Sequence, residues 1–277
     1  MTQNAKDLFS RELSQPDETI NLARTALLMA QHVTRPFNTA LYLGRLDEMA
    51  ETIRPTVNAT PTDLGKIEAL NAYLFEEEGF VGNINNYYDP NNSFLDKVLD
   101  LKKGIPISLS VVYVEVGRRL DMPLWGIGMP RHFIVGYGPV DSPIYIDVFD
   151  KGHILSEDEC LIISHVNPAS RLAFRERYLK PVTKRAILFR MLQNLKGIYL
   201  GRKAWELAYK TVDLAVIVNP KQLTDRRDRG LLAYRLNRLQ AAVLDLTRYL
   251  FLTPKDDNTE LLEKRVELME EQLLRLN

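Results

Sequence analysis

The stretch Gly104–Leu120, GIPISLSVVYVEVGRRL, decides how this chain is read. Valine favours strands, but Glu115, Arg118 and Arg119 stand at helical spacing and the apolar residues do not alternate. The stretch is therefore a turn feeding a buried helix that ends before Pro123. The start of such a helix is a natural place for a nucleophile. The residue offered there is Ser108, and the single cysteine, Cys160, lies far downstream.

Working outward, HFIVGY (residues 132–137) and IYIDVF (144–149) are rich in β-branched and aromatic residues, and GPVDSP separates them. This spacing predicts a β-hairpin closed by a loop rather than a two-residue turn. If Tyr137 faces Ile144, Asp147 opposes Ile134 and is a diagonal neighbour of His132, about 7–8 Å away at Cα and within side-chain reach. A slip of one residue would put Asp147 on the other face. Ser108, His132 and Asp147 are thus candidates for one concave site. Each also has a structural reading: a helix cap or buried hydroxyl for Ser108, and a hydrogen bond between neighbouring strands for the other two.

Before the decisive stretch, three amphipathic helices are predicted. Asp17 is the expected cap of a helix carrying Ile20, Ala23, Leu27 and Ala30. Pro36 and Pro55 bracket the second, and the third follows Pro61 with Leu64, Ile67, Leu70 and Leu74. Residues 79–93, GFVGNINNYYDPNNS, are turn chemistry, and their asparagines are expected chiefly to bond their own backbone. Ser93 reads as the cap of the next helix.

From about Pro181 onward the pattern is helical with an internal repeat. Tyr199 and Ala233, Ala208 and Ala242, and Pro220 and Pro254 recur at the period of a tetratricopeptide helix pair, with Gly230 at the small site of the second unit. A last helix with Leu262, Val266, Met269, Leu273 and Leu276 on one face reads as the solenoid cap. Its heptads are too short for a dimerisation coil. Division into residues 1–180 and 181–277 follows.

Lys+Arg and Asp+Glu are both 36, so no global basic excess attracts nucleic acid. No apolar run is long enough to span a bilayer, and the N-terminus lacks the pattern of a signal peptide. One cysteine forms no internal disulfide, which points to the cytoplasm. His32, His132, His153 and His165 lack the spacing of a zinc site, and no metal or other cofactor is expected.

The segments YYDPNNSFL, GIPISLS and HFIVGY, followed by YIDVFDKGHILSEDEC, resemble the bacterial SirB family of transglutaminase-like proteins. The resemblance runs from roughly Phe9 to the end. It implies a helix-rich α+β fold with N-terminal helices, a transglutaminase/papain-like core and a C-terminal tetratricopeptide-like region. By position it makes His132 the general base and Asp147 the residue that orients it. Active members place a cysteine at the helix start, where this chain has Pro106, Ile107 and Ser108. The expected function is a degenerate, non-catalytic scaffold that binds a protein or peptide through the concave face of its tail. The alternative is an amidase, peptidase or transamidase using Ser108, His132 and Asp147.

Overall fold

The computed structural model describes residues 4–167 and 170–276, with the side chain of Leu276 outside that description. Cα packing divides the chain into two units, Met1–Met191 and Leu192–Asn277. Among the described residues no helix is long and apolar enough to cross a membrane.

In the first unit, α1 (Ala5–Glu12), α2 (Leu22–Val33), α3 (Thr39–Ala59) and α4 (Asp63–Asn71) are capped by Asn4, Asn21, Asn38 and Thr62, each accepting a backbone N–H of the first turn. Pro55 does not end the second predicted helix; it lies inside α3. Its missing N–H leaves the Glu51 carbonyl without an intrahelical donor, and both residues are exposed, so water can serve instead. Leu64 is exposed, while Ile67, Leu70 and Leu74 are buried. A π-helical turn, Ala72–Glu77, continues α4. After it, β1 (Val81–Gly82) pairs in parallel with β2 (Lys103–Gly104), and α5 (Leu95–Leu101) lies between them in sequence. Phe94 rather than Ser93 is the cap residue of α5, because Ser93 belongs to the 3-10 turn Pro90–Ser93.

The decisive stretch forms α6 (Pro106–Arg119), and nearly all of it is buried. Proline at its first position costs no hydrogen bond, since that N–H has no helical acceptor. Around α6 pack α2, α3 and α5 together with β3 (Leu124–Gly128) and β4 (Phe133–Tyr137). With β5 (Ile144–Asp147) and β6 (His153–Leu155) these strands form an antiparallel meander, and Tyr137 pairs with Ile144. The outer strands escape sequence reading: two glycines blur the alternation of β3, and β6 has only three residues.

A second apolar layer covers the sheet through α7 (Glu157–Ile163) and α8 (Arg171–Tyr178), where Ile134 and Tyr145 meet Cys160, Leu161 and Phe174. Burial pushes the Cys160 thiol up to about 12, which makes it an inert core side chain. The next helix, α9 (Lys184–Gly201), spans the division between the units. Its first turn is capped by Asp17, whose carboxylate accepts the Lys184 and Arg185 N–H groups at 2.8 and 3.0 Å. Asp17 thus caps a helix remote in sequence rather than α2. Residues 182–190 belong to the first unit; the Val182 N–H, for example, donates to the Gly126 carbonyl at 2.9 Å.

In the second unit, the end of α9 is followed by α10 (Trp205–Val218), α11 (Leu223–Arg235), α12 (Leu239–Leu252) and α13 (Asp257–Leu276), with α11 packed on α10, α12 on α11 and α13 on α12. Ala208 and Ala242 have no exposed surface. A Cβ on Gly230 would lie 2.7 Å from Leu246 Cγ, so this helix contact requires glycine. Leu262, Val266 and Met269 of the final stripe are buried and Leu273 partly so. Charges are buried here in pairs. Arg229 donates to Asp245 at 2.6 and 2.7 Å and to Asp213 at 2.8 Å, while Lys196 reaches Asp225 and Asp228.

Two stability outcomes follow. Ala242→Leu should overpack the α11–α12 contact at a cost of about 1–3 kcal/mol. Arg229→Ala removes the guanidinium that joins two buried carboxylates, Asp213 and Asp245, and should cost about 3–5 kcal/mol even though Asp245 keeps Arg226 at 3.2 Å. Urea melts of the full chain measure both; unchanged midpoints would contradict the close packing and the ion network respectively.

Candidate functional site

Ser108 occupies the third position of α6, and its cap residue, Ile105, has no side-chain acceptor to satisfy the first turn. The serine instead serves the backbone of the cap residue itself. Its Oγ accepts the Ile105 N–H at 3.1 Å and donates to the Asn92 carbonyl at 2.5 Å. Gly104 permits the approach, since a Cβ there would stand 2.7 Å from Ser108 Oγ. The hydroxyl is 0% exposed.

Asn92 organises the asparagine-rich loop. Its amide donates to the Asn86 and Tyr87 carbonyls at 2.8 and 3.1 Å and its side-chain oxygen accepts from Asn83 at 2.9 Å. The expectation that these asparagines bond their own backbone holds at Asn92. The further link, from loop to helix through Ser108, has no signature in sequence.

His132 and Asp147 meet. His132 Nε2 lies 2.9 Å from Asp147 Oδ2, and both side chains are largely shielded, at 11% and 8% exposed. A carboxylate only accepts, so Nε2 carries the proton and Nδ1 is left as the nitrogen that could take one. The other oxygen, Asp147 Oδ1, accepts the Phe149 N–H at 3.0 Å and the Asp150 N–H at 3.4 Å, capping the 3-10 turn Val148–Asp150. One carboxylate therefore both shapes the turn after β5 and fixes the imidazole.

Arg190 of α9 holds the backbone on the histidine side. Its guanidinium donates to the Met129 carbonyl at 2.9 Å and to the His132 carbonyl at 2.8 Å, bracketing Arg131, whose φ of 62° is the left-handed conformation that ends the approach to β4. Burial holds the Arg190 guanidinium below its ordinary value, with Tyr87 opposing that shift. Phe149 stacks edge-on to His132 and Tyr87 edge-on to Phe149, at 6.2 and 6.1 Å between centroids. Asn92, Phe149, Tyr87 and Arg190 were not singled out by sequence reading. Only Arg190 leaves a trace there, as a cation inside the apolar run AILFRML (residues 186–192).

The structure thus joins His132 to Asp147, whereas the hydrogen-bond partners of Ser108 are the backbone groups of Ile105 and Asn92. Its proton is directed at a carbonyl and not at an imidazole. Among the described residues, no three His, Cys, Asp or Glu side chains are grouped to hold a metal ion.

A buried helix feeding an antiparallel sheet with a paired histidine and aspartate, followed by stacked helix pairs, defines a transglutaminase-like protein with tetratricopeptide repeats. The family described as the transglutaminase-like superfamily matches residues 40–193, and the tetratricopeptide repeat matches residues 195–267. Within that class the chain belongs to the SirB-like family. It is 36% identical over 250 residues to a UPF0162 protein of Xylella fastidiosa (strain 9a5c), covering 88% of each chain. To protein SirB1 of Salmonella typhimurium it is 23% identical over 242 residues, covering 87% of this chain and 89% of that one. A shorter likeness, 31% over 172 residues, links 57% of the chain to 26% of F-box only protein 21 of Homo sapiens. No solved structure matches the chain significantly.

Removing the Ser108 hydroxyl tests its place in the fold. Ser108→Ala leaves the Ile105 N–H and the Asn92 carbonyl without their partner and should cost about 1–3 kcal/mol. Amide hydrogen exchange should quicken across residues 83–92. An unchanged urea midpoint with unchanged exchange would show that the hydroxyl does not hold this loop.

Proposed function

We propose that the protein is a non-catalytic scaffold: a degenerate transglutaminase-like core joined to tetratricopeptide helices that bind a protein or peptide partner. The single observation carrying this reading is the Ser108 hydroxyl, fully buried and engaged by the backbone of Ile105 and Asn92. A serine nucleophile must lose its proton to a base as it attacks, and Ser108 gives its proton to a carbonyl that cannot act as one. The tail supports the binding half of the reading, since stacked repeats of this kind present extended surfaces used for protein–protein recognition. The lone inert thiol agrees with a reducing compartment, and the cytoplasm is the proposed location.

One observation favours the acyl-transfer alternative. His132 and Asp147 keep the base-and-orienter geometry, with Nδ1 unassigned. In that reading Ser108 would rotate away from Asn92 and attack an amide carbonyl, with His132 taking its proton and passing it to the nitrogen as the C–N bond breaks and the amine leaves.

The two readings separate in solution. The scaffold should resist serine-directed fluorophosphonates and release no ammonia from glutamine peptides. In Ser108→Cys the introduced thiol should be alkylated slowly by iodoacetamide near neutral pH in the folded protein, at a rate that His132→Ala does not change; native Cys160 is a silent background. Amide turnover abolished by both Ser108→Ala and His132→Ala would establish the enzyme instead.

A further inference from the structure

Each interior position along the tail is filled by a helix packing on its neighbour: α11 on α10, α12 on α11 and α13 on α12. That regular progression assigns the next position to the groove between α12 and α13. The groove has a volume of about 510 Å³ and an apolar floor of Leu250, Phe251 and Val266. Among the described residues nothing covers it: Phe251 is 87% exposed, and Leu244, two turns earlier on α12, is 70% exposed. Two large apolar side chains seven residues apart form a stripe of the kind that receives another helix.

The opposite wall gives the occupant's charge. Glu263, Glu267 and Glu270 line the groove from α13 at four- and three-residue steps, and so stand in one row. Only Glu263 is neutralised, by Lys255 at 3.3 Å; Glu267 and Glu270 form no ion pair among the described residues. An apolar floor beside a row of uncompensated carboxylates matches a helix with an apolar stripe and a basic flank, and repels one with an acidic flank.

We propose that the α12–α13 groove is a docking site for a basic amphipathic helix of a partner protein. This rests on the scaffold reading and gives it a surface and a ligand chemistry. The helix would seat its apolar residues on Phe251 and Leu244 and direct lysine or arginine at Glu267 and Glu270, occupying the position that the repeat progression assigns to a further helix.

The test uses the full chain and two fluorescein-labelled helical peptides of about five turns with the same leucine stripe, one flanked by lysines and the other by glutamates. Fluorescence anisotropy should show binding of the lysine peptide, weakened by salt, with the glutamate peptide at least about tenfold weaker. Phe251→Ser removes an exposed anchor without touching the core and should weaken the lysine peptide about tenfold. Glu267→Lys combined with Glu270→Lys should invert the preference between the peptides. Equal binding of both peptides, or binding indifferent to these substitutions, overturns the proposal. So does a concentration-dependent dimer in sedimentation that Phe251→Ser abolishes, which would assign the groove to a second copy of the chain. These outcomes are independent of amide turnover: a protein that neither turns over amides nor distinguishes the peptides loses this proposal while remaining non-catalytic, and an active enzyme that distinguishes them loses only the scaffold reading.

Discussion

The hydrogen bond from Ser108 to the Asn92 carbonyl ties the most buried helix of the protein to its most irregular loop. Ile105, the cap of α6, gives its backbone N–H to the Ser108 hydroxyl, and the same hydroxyl passes its own proton to the loop at Asn92. Asn92 then holds the Asn86 and Tyr87 carbonyls, and Tyr87 leans on Phe149 beside His132. The loop that carries Tyr87 is thereby bonded both within itself and to α6.

The same economy governs the histidine side. Asp147 caps a 3-10 turn with one oxygen and engages His132 with the other, so its geometry is over-determined whatever chemistry it performs. Arg190 holds the carbonyls on both sides of a left-handed residue. Such support is what a catalytic imidazole requires, and it is equally what a well-packed turn requires. Ser108, for its part, directs its proton to a backbone carbonyl, and the proposed non-catalytic role rests on that hydrogen bond.

In the tail, charged clusters are buried beside an apolar core. Arg229, Asp213 and Asp245 form a buried cluster, and Lys196 joins Asp225 and Asp228. These pairs join α9 to α11 and α10 to α12 through α11, while Gly230 and Ala242 lie at the close approach of α11 and α12. Specific pairing inside leaves the outer groove free to be apolar without compromising the stacking.

Much of this architecture was legible in the residues. Helical charge spacing in residues 104–120, the hairpin pairing of Tyr137 with Ile144, and the recurrence of Ala208 at Ala242 are local or periodic signals, and local signals survive in a linear string. Where the local pattern misleads, the physics is non-local. Asp17 lies ahead of α2 in sequence but caps α9; Pro55 sits within a helix because its face is solvated; β3 hides its alternation behind glycines. The sequence by itself determined the classes of element, the superfamily and the candidate trio of Ser108, His132 and Asp147. Only the tertiary structure decided which of the three meet, because the direction of a hydroxyl proton depends on the acceptor that folding brings nearest, and for Ser108 that acceptor is a carbonyl sixteen residues away.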